Sequence, residues 1–216
     1  MLNLNPATLI SRIIVLLTAF SVHEFAHAWT ANYFGDSTPR INGRLTLNPL
    51  AHLDPMGSLL LVVAGFGWAK PVPVNPYTLR QRAPSALMWV ALAGPLSNFL
   101  MAIIAALPFQ LNLVTQQQLS SYLYGGNTGY LPTTAGFLVE FISINLVLML
   151  FNLIPLPPLD GDKIVDYFLP DKWRDSLARI RPYGPMILIA LFLVGPSLGI
   201  DIIGPPLRFL FNLLVR

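Results

Sequence analysis

Cysteine is absent from this 216-residue chain, which excludes disulfide bonds and leaves imidazole and carboxylate groups as the side chains best suited to hold a metal ion. Charged residues are scarce at 11%, while hydrophobic residues make up 54%. A soluble domain does not need so many apolar residues to build one core, so the composition indicates an integral protein of the lipid bilayer. The net charge is only +3, and the basic residues cluster in two connecting segments with acidic residues among them, so we expect no nucleic-acid partner.

Long apolar runs divide the chain. A helix needs about 20 mostly apolar residues to cross a bilayer, and the segments 7–33, 85–108 and 132–154 meet this requirement. A fourth run covers 184–200, and the final PPLRFLFNLLVR belongs either to a fifth span or to a helix lying at the interface. The pattern predicts an all-α polytopic membrane protein of one domain over residues 1–216, with a three-helix core followed by one or two further membrane helices.

The charged residues predict the orientation of these helices. Segments 35–84 and 160–183 contain five Lys or Arg residues each, whereas segment 109–131 contains no charged residue. By the positive-inside rule, the first two segments face the cytoplasm and the third faces outward, which places the N-terminus outside.

The first apolar run contains the motif HEFAH, formed around His23, Glu24 and His27. Residues four apart on a helix share one face, so the two imidazoles are spaced to bind one zinc ion, and Glu24 stands beside them as a general base. The alternative is that these side chains only satisfy each other inside a helix bundle, but ionisable groups at membrane depth are costly and usually functional. His23 is about 24 Å from the outer end of its run, in the inner half of the bilayer.

A catalytic zinc site needs a third protein ligand from the same depth. Glu140 is only about 12 Å from the outer end of its run, too shallow to reach the histidines, and we expect it to form a pair within the bundle. Asp160 follows the proline-rich sequence FNLIPLPPLDG at the cytoplasmic end of the third run. Asp160 therefore fits as the third ligand, although Asp160-Gly161 by itself also fits an ordinary turn.

Three motifs taken together resemble a known family. HEFAH in the first run, AGPLSN at 93–98 in the second and FNLIPLPPLDG at 151–161 are similar to the motifs of the site-2 protease family of intramembrane zinc metalloproteases. The resemblance covers the three-helix core, residues 7–170. The chain is similar to the compact bacterial and archaeal members, which lack PDZ-like and CBS-like domains.

The resemblance implies a set of site residues. His23, His27 and Asp160 would bind one Zn²⁺ per chain, and Glu24 would act as general base and general acid. Asn152 matches the asparagine of the family that stabilises the oxyanion, with an interhelical hydrogen bond as its alternative role.

Three further features are assigned less specific roles. We expect Asn98 to be mainly structural, through hydrogen bonds between helices, and His52 to stabilise a loop, with direct metal contact as the alternative. In this family the segment corresponding to 59–76 forms strands and a re-entrant loop beside the site, where a strand edge would hold the substrate extended. The alternative is a cytoplasmic hairpin that only packs.

The sequence thus predicts a multi-pass zinc endopeptidase of a prokaryotic cell membrane. Its substrates would be membrane proteins or peptides, cleaved within their transmembrane segments near the cytoplasmic side. A metal-binding transporter is one alternative, but it would have no need of Glu24. A catalytically inactive binder of membrane proteins is another, but no residue of the motifs is missing.

Overall fold

The computed structural model of the chain describes residues 5–54, 56–57, 69–125 and 129–215, and regular structure in them is helical. In chain order the helices are α1 (Pro6–Tyr33), α2 (Thr38–Ile41), α3 (Pro49–His52), α4 (Pro76–Arg82), α5 (Ala86–Gln110), α6 (Gln116–Gly125), α7 (Thr134–Asn152), α8 (Asp160–Phe168), α9 (Asp171–Ile180), α10 (Gly184–Leu193) and α11 (Gly204–Val215). Short 3-10 turns at Arg181–Tyr183 and Gly195–Leu198 flank α10.

The core is formed by α1, α5 and α7, which pack against one another. Small residues line the contacts: Ala102, Ala105 and Ala106 of α5 belong to one buried cluster with apolar side chains of α7. The buried face of α1 is equally small apart from its site residues, since it is made mostly of alanine and serine. Small side chains let helix backbones approach closely, and close packing is what holds helices together where lipid surrounds them.

The helical ends agree with local sequence signals. Asn5 caps α1 by accepting a hydrogen bond from the Ala7 N–H, at 2.9 Å, and Pro6 occupies the first helical position. Thr133 caps α7 by accepting from the Gly136 N–H, at 3.1 Å. The capping oxygens accept from N–H groups that are otherwise unpaired at a helix start, and a proline at the first position has no N–H to pair.

In the described part of the chain, four helices are long and apolar enough to cross a membrane, which confirms the predicted all-α membrane architecture. Three of them, α1, α5 and α7, match the predicted runs closely. The fourth is Asp171–Leu193, in which α9, a 3-10 turn and α10 follow one another. It begins before the predicted run 184–200 and ends within that run, at Leu193. The early end arises because the apolar sequence after Val194 turns at a left-handed Gly199 instead of continuing as an α-helix.

The C-terminal helix α11 has 12 residues and is about 18 Å long at 1.5 Å per residue, short of a full span. It packs along α5 and α7, where Leu207, Leu210 and Phe211 contact the core cluster. Its last turn lies beside the end of α5, since the Gln110 side chain donates to the Leu214 carbonyl at 2.5 Å.

The expected strands and re-entrant loop at 59–76 fall mostly on residues 58–68, which lie outside the described part of the chain. Among the residues that are described, the β-type pairing is an isolated antiparallel bridge between Leu53 and Ala69. The strand prediction therefore stays a prediction for this segment.

The prediction that Glu140 pairs within the bundle is confirmed. Its carboxylate accepts hydrogen bonds from Arg12 of α1, at 3.0 and 3.3 Å, and from the Tyr122 hydroxyl of α6, at 3.0 Å. Burial beside the Glu140 charge raises the pKa of Tyr122 to about 12. This cluster ties α1, α6 and α7 together away from the HEFAH motif.

Candidate metal centre

The helical spacing of HEFAH places His23 and His27 one turn apart on the buried face of α1. Asp160, the first residue of α8, reaches them because α8 packs against α5, the neighbour of α1. The two Nε2 atoms are 3.0 Å apart. Asp160 Oδ2 is 3.3 Å from His23 Nε2 and 3.1 Å from His27 Nε2, so three potential ligand atoms form a small triangle.

This triangle fits a zinc ion. Tetrahedral ligands about 2.0–2.1 Å from zinc are roughly 3.3 Å from one another, close to the distances between the three donor atoms. In the described ranges, one group of three histidine or carboxylate side chains brings its ligand atoms within 4.8 Å of one another. It consists of His23, His27 and Asp160, and all three are buried. A two-histidine, one-carboxylate set also leaves a fourth position for water or substrate, as in catalytic zinc sites.

Both imidazoles turn their Nε2 atoms toward the centre because their Nδ1 atoms are occupied. His27 Nδ1 lies 2.7 Å from the Val90 carbonyl, and His23 Nδ1 lies 2.6 Å from Asn98 Oδ1, both on α5. A carbonyl oxygen can only accept, so the proton of His27 is on Nδ1 and the Nε2 lone pair is available to a metal.

The two oxygens of Asp160 have different partners. Oδ2 faces the imidazoles, whereas Oδ1 is 3.6 Å from the Lys163 ammonium group, one turn along α8. Oδ2 is thus directed at the centre, 3.3 and 3.1 Å from the imidazole nitrogens, while the ammonium group beside Oδ1 favours the carboxylate form of Asp160.

Two glycines are required by close contacts at the site. A Cβ built on Gly94 would stand 2.6 Å from His23 Nε2 and closer still to His27 Nε2, so any side chain there would occupy the space that a metal needs. A Cβ on Gly161 would collide with the carbonyls of Leu153 and Ile154, which lie directly against the start of α8. The turn alternative for Asp160-Gly161 is thus replaced by a helix start that presents Asp160 inward.

Glu24 is buried next to His23, and its Oε2 accepts a hydrogen bond from the Val72 N–H at 3.1 Å. Val72 lies between Pro71 and Pro73, which have no N–H to donate. The Val72 N–H is therefore the donor that this short stretch directs at the Glu24 carboxylate.

The stretch around Val72 is anchored at both ends by buried polar groups. Asp36 Oδ2 accepts from the Asn75 N–H at 2.6 Å, and the His52 carbonyl accepts from the Lys70 N–H at 2.8 Å. Arg44, itself buried, donates to the Ala51 carbonyl. These contacts fix the chain from 70 to 75 over the acidic residue of the motif.

Two residues considered from the sequence lie outside the donor triangle. His52 Nε2 bonds to the Thr46 carbonyl at 2.8 Å, a contact within its own loop. Asn152, the last residue of α7, donates through Nδ2 to the Leu148 carbonyl at 3.0 Å, and its expected role at the oxyanion stays a prediction.

Sequence reasoning missed the side chain of Asn145, the ammonium group of Lys163 and the backbone donor of Val72. Asn145 carried a usable signal, because an amide in the middle of an apolar run needs a hydrogen-bond partner. Lys163 and Val72 carried none, since their contacts depend on how α8 and the 70–75 stretch are placed.

Comparison with known proteins agrees with this geometry. Residues 11–194 match the model of peptidase family M50. YwhC of Bacillus subtilis strain 168, named as a candidate zinc metalloprotease, is 40% identical over 196 residues, covering 91% of this chain and 85% of its own length. Rip2 of Mycolicibacterium smegmatis, named in the same way, is 31% identical over 193 residues, covering 85% of this chain and 66% of its own. No solved structure gives a significant match to the chain.

Proposed function

Because this chain belongs to peptidase family M50, the site-2 protease family, we propose that it is an intramembrane zinc endopeptidase. It hydrolyses peptide bonds within the transmembrane segments of membrane proteins, near their cytoplasmic side. The observation that carries the proposal is the buried triangle of His23, His27 and Asp160 with Glu24 beside it, built on helices apolar enough to lie in lipid. One zinc ion per chain satisfies this ligand set.

The residues divide the chemistry among them. Zinc, when bound, supplies a Lewis acid that polarises the scissile carbonyl and acidifies the attacking water. Glu24 removes a proton from that water and returns it to the leaving amine. Its Oε2 is held by the Val72 N–H, which leaves Oε1 to carry the proton.

Asn152 stabilises the oxyanion in this proposal. One hydrogen of its amide is used on the Leu148 carbonyl, and the second remains for the developing negative charge. The oxyanion then forms at the cytoplasmic end of α7, on the same side of the bundle as Asp160.

Substrate is held next to the chain from 70 to 75. A peptide bond inside a helix must be extended before it is cleaved, because the helix buries its backbone groups in its own hydrogen bonds. The segment fixed over Glu24 would pair with such a substrate mainly through its backbone carbonyls. Its N–H groups are largely used in the contacts described above, and its two prolines have none. The substrate itself is a transmembrane protein or peptide reaching the site from the bilayer.

A metal-removal experiment tests the proposal. The purified protein, reconstituted in phospholipid vesicles with a set of tagged single-span bacterial membrane proteins, is expected to cut within a membrane segment. Chelation with 1,10-phenanthroline abolishes cleavage, and added Zn²⁺ restores it, because two imidazoles and one carboxylate form a zinc site. Mass spectrometry of the products locates the cut. Cleavage that survives chelation, or that falls only in soluble loops, would contradict the proposal.

The proposal includes a multi-pass topology in a prokaryotic cell membrane, with the N-terminus outside and the metal centre nearer the cytoplasm. Its support is the distribution of Lys and Arg, which are concentrated in 35–84 and 160–183 and absent from 109–131. The chain contains no cysteine, so single thiols can report the topology directly.

Ser120→Cys and Ser37→Cys are a matched pair for this test, since both serines are exposed and lie outside the candidate membrane spans. In intact cells, a membrane-impermeant maleimide is expected to label position 120 and to spare position 37. Permeabilised cells should show both labelled, which controls for reactivity. Labelling of 37 but not 120 in intact cells would reverse the orientation and move the metal centre to the outer side.

A further inference from the structure

A chain of hydrogen bonds crosses the three core helices and ends on a metal-ligating histidine. Asn145 Nδ2 of α7 donates to the Phe141 carbonyl at 2.9 Å, and Asn145 Oδ1 accepts from Asn98 Nδ2 of α5 at 2.9 Å. Asn98 Oδ1 in turn lies 2.6 Å from His23 Nδ1 of α1. Asn98 and Asn145 have no exposed surface at all, so no competing water reaches either amide.

The direction of these hydrogen bonds, from donor to acceptor, is set at Asn145. The Phe141 carbonyl can only accept, so the Asn145 side chain must turn its nitrogen toward it and its oxygen toward Asn98. The Asn145 oxygen can only accept a hydrogen bond, so Asn98 must turn its amide nitrogen toward it. The same orientation of Asn98 is favoured by the Ala19 carbonyl, 3.5 Å from Nδ2.

Once its nitrogen is used in this way, Asn98 has only its oxygen to offer His23. An amide oxygen accepts, so the His23 proton must be on Nδ1, and the lone pair must be on Nε2, the atom that faces His27 and Asp160. The tautomer of the ligand is thus determined by side-chain orientations that originate on another helix.

We propose that Asn145 is a positioning residue for the metal centre, acting through Asn98 to hold His23 in its metal-binding tautomer and ring orientation. The inference rests on the metal site of the proposed function and extends it to a residue outside the recognised motifs. Without Asn145, Asn98 loses its main fixed acceptor and is free to turn its nitrogen toward His23. That arrangement would require the lone pair on Nδ1 and the proton on Nε2, which cannot then bind a metal.

Glu140 provides a matched control on the same helix. It also links α7 to α1, through Arg12 at 3.0 Å, and it is also a buried polar group. Its partners, however, are Arg12 and Tyr122 and not a ligand histidine. Loss of a polar link between these helices is therefore tested separately from loss of the link to His23.

The test measures the zinc dissociation constant of the full chain in detergent, by competition with a chromogenic chelator. Partners that orient a metal ligand typically contribute about 10–100-fold to metal affinity, and we expect a loss in this range for Asn98→Leu and a loss of about tenfold for Asn145→Leu. The double variant should be no weaker than Asn98→Leu, because Asn145 acts through Asn98. Glu140→Gln should stay within about twofold of wild type.

A rescue variant separates positioning from packing. A carboxylate in place of the Asn98 amide can only accept, so it holds the His23 Nδ1 proton without help from residue 145. Asn98→Asp combined with Asn145→Leu is therefore expected to regain zinc affinity relative to Asn145→Leu alone, which a loss of packing would not explain. If Asn145→Leu does not fold, Asn145→Ala removes the same hydrogen bonds with a smaller side chain.

Unchanged zinc affinity in a folded Asn145 variant, additive losses in the double variant, or no rescue by Asn98→Asp would each overturn the inference while leaving the zinc site intact. Failure of the proposed function looks different. In that case the wild-type protein binds no zinc through His23, His27 and Asp160.

Discussion

Glu24→Gln is expected to abolish proteolysis while zinc remains bound. The amide cannot accept a proton from the attacking water, and loss of a general base typically costs about 10²–10⁴-fold in rate. The three donor atoms of His23, His27 and Asp160 are untouched by the change. The amide also keeps an oxygen for the Val72 N–H, so the 70–75 stretch retains its contact. Two quantities are measured. One is the cleavage of a transmembrane substrate reconstituted in vesicles, and the other is the zinc content of the variant by atomic absorption.

Glu140→Gln is the matched control for this variant. It makes the same change from acid to amide at another buried position of the helical bundle, paired with Arg12 and Tyr122. Cleavage should continue in Glu140→Gln, provided that gel filtration shows the protein folded. Near wild-type cleavage by Glu24→Gln would rule out Glu24 as the base, and loss of zinc from it would show that the variant had disturbed the ligands.

The architecture was predictable because it depends on quantities written in the sequence. Length and hydropathy locate α1, α5 and α7, since a bilayer of fixed thickness demands a fixed number of apolar residues. The 3.6-residue period of a helix puts His23 and His27 on one face. Depth along the helices then excludes Glu140, and the structure indeed brings Asp160 to the histidines and leaves Glu140 in another cluster.

The interhelical contacts were not predictable, because they depend on how neighbouring helices are rotated and shifted along one another. Asn98 was expected to be mainly structural, yet its oxygen faces His23 at 2.6 Å. The Val90 carbonyl that holds His27 belongs to a backbone whose position no side-chain pattern encodes. Likewise, hydropathy located an apolar run after residue 184 but not the turn at Gly199, which depends on a left-handed backbone conformation.

Asp160→Ala is expected to remove most of the zinc, whereas His52→Ala is not. Two imidazoles alone are a weak site for zinc, and losing a direct ligand should weaken binding by more than the roughly 10–100-fold that an orienting partner contributes. Asp160 Oδ2 lies within 3.3 Å of both imidazole Nε2 atoms. His52 instead bonds to the Thr46 carbonyl, and its own carbonyl accepts from the Lys70 N–H.

The comparison measures zinc retained after dialysis against a mild chelator, in proteins shown by gel filtration to be equally folded. His52→Ala disturbs the loop whose carbonyl holds the Lys70 end of the 70–75 stretch, so its effect should fall on cleavage more than on zinc content. Asp160→Ala should lose both. If His52→Ala lost zinc while Asp160→Ala kept it, the third ligand would belong to the loop between α1 and α5, and Asp160 would be left as a buried carboxylate paired with Lys163.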